Sequence, residues 1–210
     1  MTRVYEYGGA AFALGTDKMI IFSDGNTMGV FTLGVDSGEV NTVINANPLL
    51  RYADFTVHPL HPRWAVAVKE DHISSTVENS LVVIDKMSCT SVTVAHGADF
   101  YSYPRFNTEG TKICWIQWNH PEMPWTSTAL YVADWEGGKV GTARAVAGIS
   151  TRESILQPSW GPDGTLFFTS DRTGFWQIYQ MRKDAQEHRI IKMPGLEGFD
   201  FSMPPWMLGT

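Results

Sequence analysis

Four segments of this 210-residue chain repeat one order of features, and that repetition restricts the fold more than anything else in the sequence. Each opens on an aromatic residue, passes through a turn into an apolar strand, crosses a polar loop and returns in a second strand. The clearest copy runs Trp160-Gly161-Pro162-Asp163-Gly164-Thr165 into Leu166-Phe167-Phe168-Thr169-Ser170-Asp171-Arg172, then Phe175-Trp176-Gln177-Ile178-Tyr179. Pro-Asp-Gly is a tight-turn tripeptide between strand-like runs. A second copy starts at Phe106, turns at Gly110 where the first has Gly164, continues through Ile113-Cys114-Trp115-Ile116 and returns over 129–134. A third starts at Phe55, turns near His58-Pro59, continues through Trp64-Ala65-Val66-Ala67-Val68 and returns over 80–85. A fourth runs from Phe12 through Gly15-Thr16-Asp17, Met19-Ile20-Ile21-Phe22 and Ser23-Asp24-Gly25 to Val30-Phe31-Thr32-Leu33.

The entry aromatics at 12, 55, 106 and 160 are 43, 51 and 54 residues apart, the period of one four-stranded β-propeller blade. Short apolar runs ended by Gly, Asp and Pro, without apolar spacing of three and four over a dozen residues, argue against helical repeats. The expected fold is therefore all-β, a propeller portion of about four blades of four antiparallel strands; a β-sandwich with look-alike strands is the alternative. One domain over 1–210 is expected, with repeats at about 7–45, 52–95, 103–147 and 157–189. The segment 190–210, with Phe199-Asp200-Phe201 and Trp206, reads as the start of a further unit. Closed propellers use about four to eight blades, so a four-blade ring is possible, but this tail and the Tyr5-Glu6-Tyr7-Gly8-Gly9 start both read as pieces of a longer array, an incomplete portion of a larger ring. An open ring leaves sheet faces and edges uncovered, and a second copy of the chain or another partner is expected to meet them.

Composition excludes several classes of function. The formal charge is -6 and the Lys and Arg residues are dispersed, so no basic stripe exists to neutralise phosphates, and nucleic acid is not an expected partner. No apolar run approaches the roughly 20 residues of a membrane helix, and Glu6 between Tyr5 and Tyr7 interrupts any leader-like apolar stretch. Cys89 and Cys114 stand outside any C-x-x-C pair, which fits a reduced, cytoplasmic setting.

No complete active site is legible. A nucleophile elbow needs G-x-S-x-G on a strand-turn-helix; the nearest segment, Gly148-Ile149-Ser150-Thr151-Arg152, ends on Arg, so Ser150 reads as a loop residue. His58 and His61 both precede proline with no Cys or carboxylate cluster beside them, so they read as turn residues, and neither metal nor cofactor is expected. Glu70-Asp71-His72 reads either as an acid-base relay or as a strand end facing water. Asp171 reads as an acceptor for backbone N–H groups in its turn. The segment 118–125 has the strongest functional claim, because Trp118, His120 and Trp125 in a long inter-strand loop either line a pore or partner face or cap the space between blades. Glu6, beside Gly8-Gly9, is a second candidate, as a carboxylate that meets a peptide N-terminus. Glu6, Asp71, His72, Trp118, His120 and Trp125 are the candidate peptide or partner contacts.

Some of these residues carry a family resemblance. The segment 160–179 resembles the Tol-type and tricorn-type propeller repeat. Trp115-Ile116-Gln117-Trp118-Asn119-His120-Pro121-Glu122-Met123-Pro124-Trp125, followed by Leu130-Tyr131-Val132-Ala133-Asp134, is similar to the propeller of acylaminoacyl-peptidase and dipeptidyl-aminopeptidase-like enzymes of the prolyl oligopeptidase class, peptidase family S9. Val4-Tyr5-Glu6-Tyr7-Gly8-Gly9-Ala10, Arg51-Tyr52-Ala53-Asp54 and Glu153-Ser154-Ile155-Leu156-Gln157-Pro158 follow in the family's order. The resemblance implies a propeller that restricts access to an α/β-hydrolase domain, whose Ser, Asp and His act on peptide substrates. That domain has no counterpart in these residues. The expected role is thus the non-catalytic, substrate-gating portion of such a hydrolase; the alternative is a stand-alone scaffold that binds a protein or peptide through 118–125.

Overall fold

The computed structural model describes residues 2–182, 189–203 and 207–209. Four antiparallel sheets follow one another along the chain. The first holds β1 (Phe12–Leu14), β2 (Met19–Ser23), β3 (Val30–Gly34) and β4 (Val40–Ile44); the second β5 (Leu50–Val57), β6 (Trp64–Asp71), β7 (Glu78–Asp85) and β8 (Thr90–Ala95). The third holds β9 (Phe100–Phe106), β10 (Lys112–Trp118), β11 (Ala129–Glu136), the short hairpin strand β12 (Lys139–Val140) and β13 (Arg144–Ala147). The fourth holds β14 (Ile155–Trp160), β15 (Leu166–Ser170), β16 (Gln177–Met181) and β17 (Arg189–Ile190). The first strands of successive sheets lie beside one another, β1 by β5, β5 by β9 and β9 by β14. Sheets arrayed this way around a shared axis are propeller blades, so the architecture is a partial β-propeller.

The apolar runs explain the stacking. A sheet buried on both faces needs apolar side chains at successive positions rather than alternate ones. In β6, Ala65 and Ala67 pack toward the first sheet with Ile21, Val30, Val82 and Ile84, while Val66 and Val68 pack toward the third with Tyr101, Ile113, Trp115 and Trp135. Cys114 and Ile116 of β10 then face the fourth sheet, against Leu156, Leu166 and Phe168. The far face of the first sheet is open, and Phe12 and Leu14 are 66% and 63% exposed there.

Two local devices recur. In the turn after each first strand a side chain accepts backbone N–H groups: Asp17 from Met19, His58 from Leu60 and His61, Asn107 from Thr111 and Lys112, Asp163 from Thr165. Each first strand also carries a left-handed residue within or just ahead of it: Ala10 (φ 42°), Asp54 (φ 52°), Tyr103 (φ 53°) and Gln157 (φ 51°). Pairing register shifts beside the last three, as bulges require.

Ile190 pairs with Tyr179 and so belongs to the fourth sheet, although the sequence places it in a further unit. Among the described residues beyond it, Leu208 forms a parallel bridge to Gly9, its N–H donating to the Gly8 carbonyl at 3.0 Å. Trp206 lies outside the described residues. No described helix is long and apolar enough to cross a membrane.

Candidate functional site

A cavity of about 470 Å³ opens where the N-terminal segment crosses the ends of the second and third sheets. Its walls come from the turn Val4–Glu6, from Glu70 and His72 at the end of β6, from Phe100 on β9, from Trp118 at the end of β10 and His120 just beyond it, and from Met207 and Leu208. Of the six candidate residues read from the sequence, Glu6, His72, Trp118 and His120 come together here. Asp71 and Trp125 do not line it. Asp71 projects from the opposite side of its strand, into a neighbouring hollow, and takes Lys69 at 2.9 Å and the Ile73 N–H at 2.9 Å.

The aromatic wall is ordered by stacking. Trp118 lies on Phe100 with ring centroids 5.2 Å apart and planes 15° apart; His120 meets Phe100 edge-on at 4.9 Å, and Tyr5 does so at 5.2 Å. Offset-stacked and edge-to-face pairs are favoured because each π face is negative and each edge positive. The loop behind them is tied down: His120 N–H donates to Asp99 at 2.8 Å, Ser154 Oγ donates to the Pro124 carbonyl at 2.6 Å, and Arg152 pairs with Glu122 at 2.9 Å.

The acidic edge centres on Glu70. The sequence leaves its strand end facing water or acting as a relay, whereas Glu70 is 3% exposed. Burial is tolerated because its oxygens are satisfied: one accepts the Tyr5 N–H at 2.6 Å, the other meets Arg51 at 2.8 Å and His72 Nε2 at 2.6 Å. Arg51 also donates to Glu6 at 2.6 Å. That hydrogen bond and the guanidinium charge hold the Glu6 carboxyl below its usual range. Glu6 and Glu70 share the one Arg51 guanidinium, and Asp99 adds a further carboxylate to the lining. Tyr5 is clamped from its other end, its hydroxyl donating to the Tyr101 carbonyl and accepting the Tyr101 N–H, both at 2.9 Å; burial pushes its phenol far above the ordinary range.

Other sequence candidates have structural places. His58, 2% exposed, spans its turn and reaches the Gly110 carbonyl at 2.9 Å through Nε2. The Asp171 carboxylate accepts the Ser154 N–H at 2.6 Å, 17 residues earlier in the chain, so it ties its turn to the start of β14 where the sequence suggested an acceptor within the turn. Ser150 sits exposed in a bend with no helix after it. Among the described residues, no three of His, Cys, Asp and Glu gather as metal ligands would. Sequence reasoning missed Tyr5, Asp99 and Phe100 as members of this site and named Glu70 only within a possible relay with Asp71 and His72. Tyr5 stood beside Glu6, but only the fold joins it to Glu70.

The fold and the cavity define a class, a partial propeller with a ligand-sized recess at one end of the blade array. More particularly, its fold is that of the propeller portion of S9 peptidases. A puromycin-hydrolysing peptidase of Mycobacterium tuberculosis matches 99% of the chain at 30% identity with a TM-score of 0.84. A puromycin hydrolase matches 99% at 22% identity and 0.86, and a mutant puromycin hydrolase complexed with PGG matches 91% at 24% identity and 0.78. The chain spans 34%, 34% and 32% of the lengths of these three. No protein-family model and no curated protein matches it.

Proposed function

We propose that this chain is the non-catalytic, substrate-admitting portion of an S9-type serine peptidase, that it works with an α/β-hydrolase domain, and that its cavity receives the amino end of a peptide. The observation that carries the reading is the pairing of an aromatic wall, Tyr5, Phe100 and Trp118, with an acidic rim in which Glu6 and Glu70 share the one Arg51 guanidinium. An ammonium is attracted both to carboxylates and to aromatic faces, and an apolar first side chain suits the remaining wall. The open face of the first sheet, with Phe12 and Leu14, is where a further sheet would pack, from a second copy or from a longer chain. A reducing, cytoplasmic setting accords with the unpaired Cys89 and Cys114.

The test is calorimetric titration with phenylalaninamide and with N-acetylphenylalaninamide. A charge-assisted hydrogen bond lost on acetylation weakens binding by about tenfold or more. Equal affinity for both compounds, or binding of neither, removes the amino-end reading.

A further inference from the structure

We infer that Glu70 is a positioning residue for Glu6: it holds the strained N-terminal turn that aims the Glu6 carboxylate at the cavity. The inference rests on the amino-end reading for its ligand, but its geometry stands by itself. Tyr5 and Glu6 both adopt left-handed backbone, with φ of 56° and 64°. Neither is glycine, and side-chain-bearing residues keep that conformation only where the surroundings impose it. The constraint comes from three directions. Val4 is fully buried, the Tyr5 hydroxyl is clamped on Tyr101, and the Tyr5 N–H points into the Glu70 carboxylate at 2.6 Å. Glu70 then secures the far side of the turn through Arg51, which donates both to Glu6 and to the Arg3 carbonyl at 3.0 Å.

A neutral group at position 70 would weaken the Tyr5 bond and leave Glu6 as the carboxylate partner of Arg51. The turn would relax, and Glu6, whose side chain is 72% exposed and is held by Arg51 with no further side-chain hydrogen bond among the described residues, would leave the rim. Glu70 therefore acts through Glu6 instead of adding its own contact to the ligand.

The experiment compares Glu70→Gln, Glu6→Gln and the double variant by phenylalaninamide calorimetry, with hydrogen exchange of the Tyr5 and Glu6 amides as a readout that needs no ligand. Glu70→Gln is expected to speed exchange at both amides by about tenfold and to weaken phenylalaninamide by about tenfold, with the double variant no weaker than Glu6→Gln within about twofold, as for two residues acting in series. Glu70→Asp, which keeps the charge and loses reach, is expected to do the same and replaces Glu70→Gln if that variant does not fold. Unchanged exchange, or losses that add in the double variant, overturn the positioning role. If the wild-type chain binds no phenylalaninamide, the amino-end reading fails, and the exchange rates alone decide for or against Glu70.

Discussion

Asp54 and Tyr103 belong to neighbouring sheets, and the Asp54 carboxylate accepts the Tyr103 N–H at 2.6 Å. Its second oxygen takes Arg105 at 2.8 Å, and its own N–H donates to the Ala10 carbonyl at 2.9 Å, so one residue ties together the inner strands of three sheets. The residues involved, Ala10, Asp54 and Tyr103, are the left-handed positions of those strands. The bulges thus turn backbone groups toward the next blade rather than leaving them unpaired.

Asp54 is 1% exposed, so Asp54→Ala leaves the Tyr103 N–H without this acceptor and the Arg105 guanidinium without its carboxylate. The expected cost is about 3 kcal/mol in urea unfolding. Asp54→Asn, which keeps an acceptor and tolerates left-handed backbone, should cost roughly half as much. A loss below about 0.5 kcal/mol for the alanine variant would remove this residue as a joint between sheets.

Gly110 has φ 66°, and a Cβ there would overlap the His58 imidazole, which is itself pinned by the Gly110 carbonyl. Gly110→Ala combines backbone strain with a steric conflict against a ring that cannot retreat. It is expected to destabilise by about 2 kcal/mol. Gly38, which has φ 70° and no atom within 4 Å of its Cβ position, is the control; Gly38→Ala should cost about 1 kcal/mol. Equal melting temperatures for the two variants would contradict the steric part of the argument.

Asp85 receives the fork of Arg63 at 2.7 and 2.6 Å, and this pairing, against the opposing effect of burial, holds its carboxyl well below the usual range. A folded-state pKa below the unfolded one gives stability that is full above the unfolded value of about 3.9 and fades as pH falls through the lower folded value. Wild type and Arg63→Ala should therefore differ most in melting temperature near neutral pH, and the gap should narrow as the pH is lowered below about 3. A gap independent of pH would mean that Arg63 contributes by packing on Trp64, which its guanidinium covers at 4.7 Å.

How much of this was legible depends on how local each signal is. The turns at Asp17, Asn107 and Asp163 could be read because the acceptor and its N–H groups lie within five residues. The double-sided burial of β6 and β10 showed as unbroken apolar runs. The bulges were invisible, since Asp54, Tyr103 and Gln157 carry no glycine to announce positive φ. Glu70 was read as a relay member or a solvated strand end, and its burial against Tyr5 escaped because the two lie 65 residues apart. Trp118 and His120 were recognised by their residue type, but Trp125, equally aromatic, does not line the cavity; the course of the loop decides, and composition does not record it.

The most direct measurement is an NMR map of phenylalaninamide binding to the isotope-labelled chain. The expected shifts fall on Tyr5, Glu6, Phe100, Trp118 and His120, with the Trp118 indole moving toward saturation at the same ligand concentration as the Glu6 amide. Shifts confined to other sheets, or a spectrum that does not change, would contradict the claim that this cavity receives the amino end of a peptide.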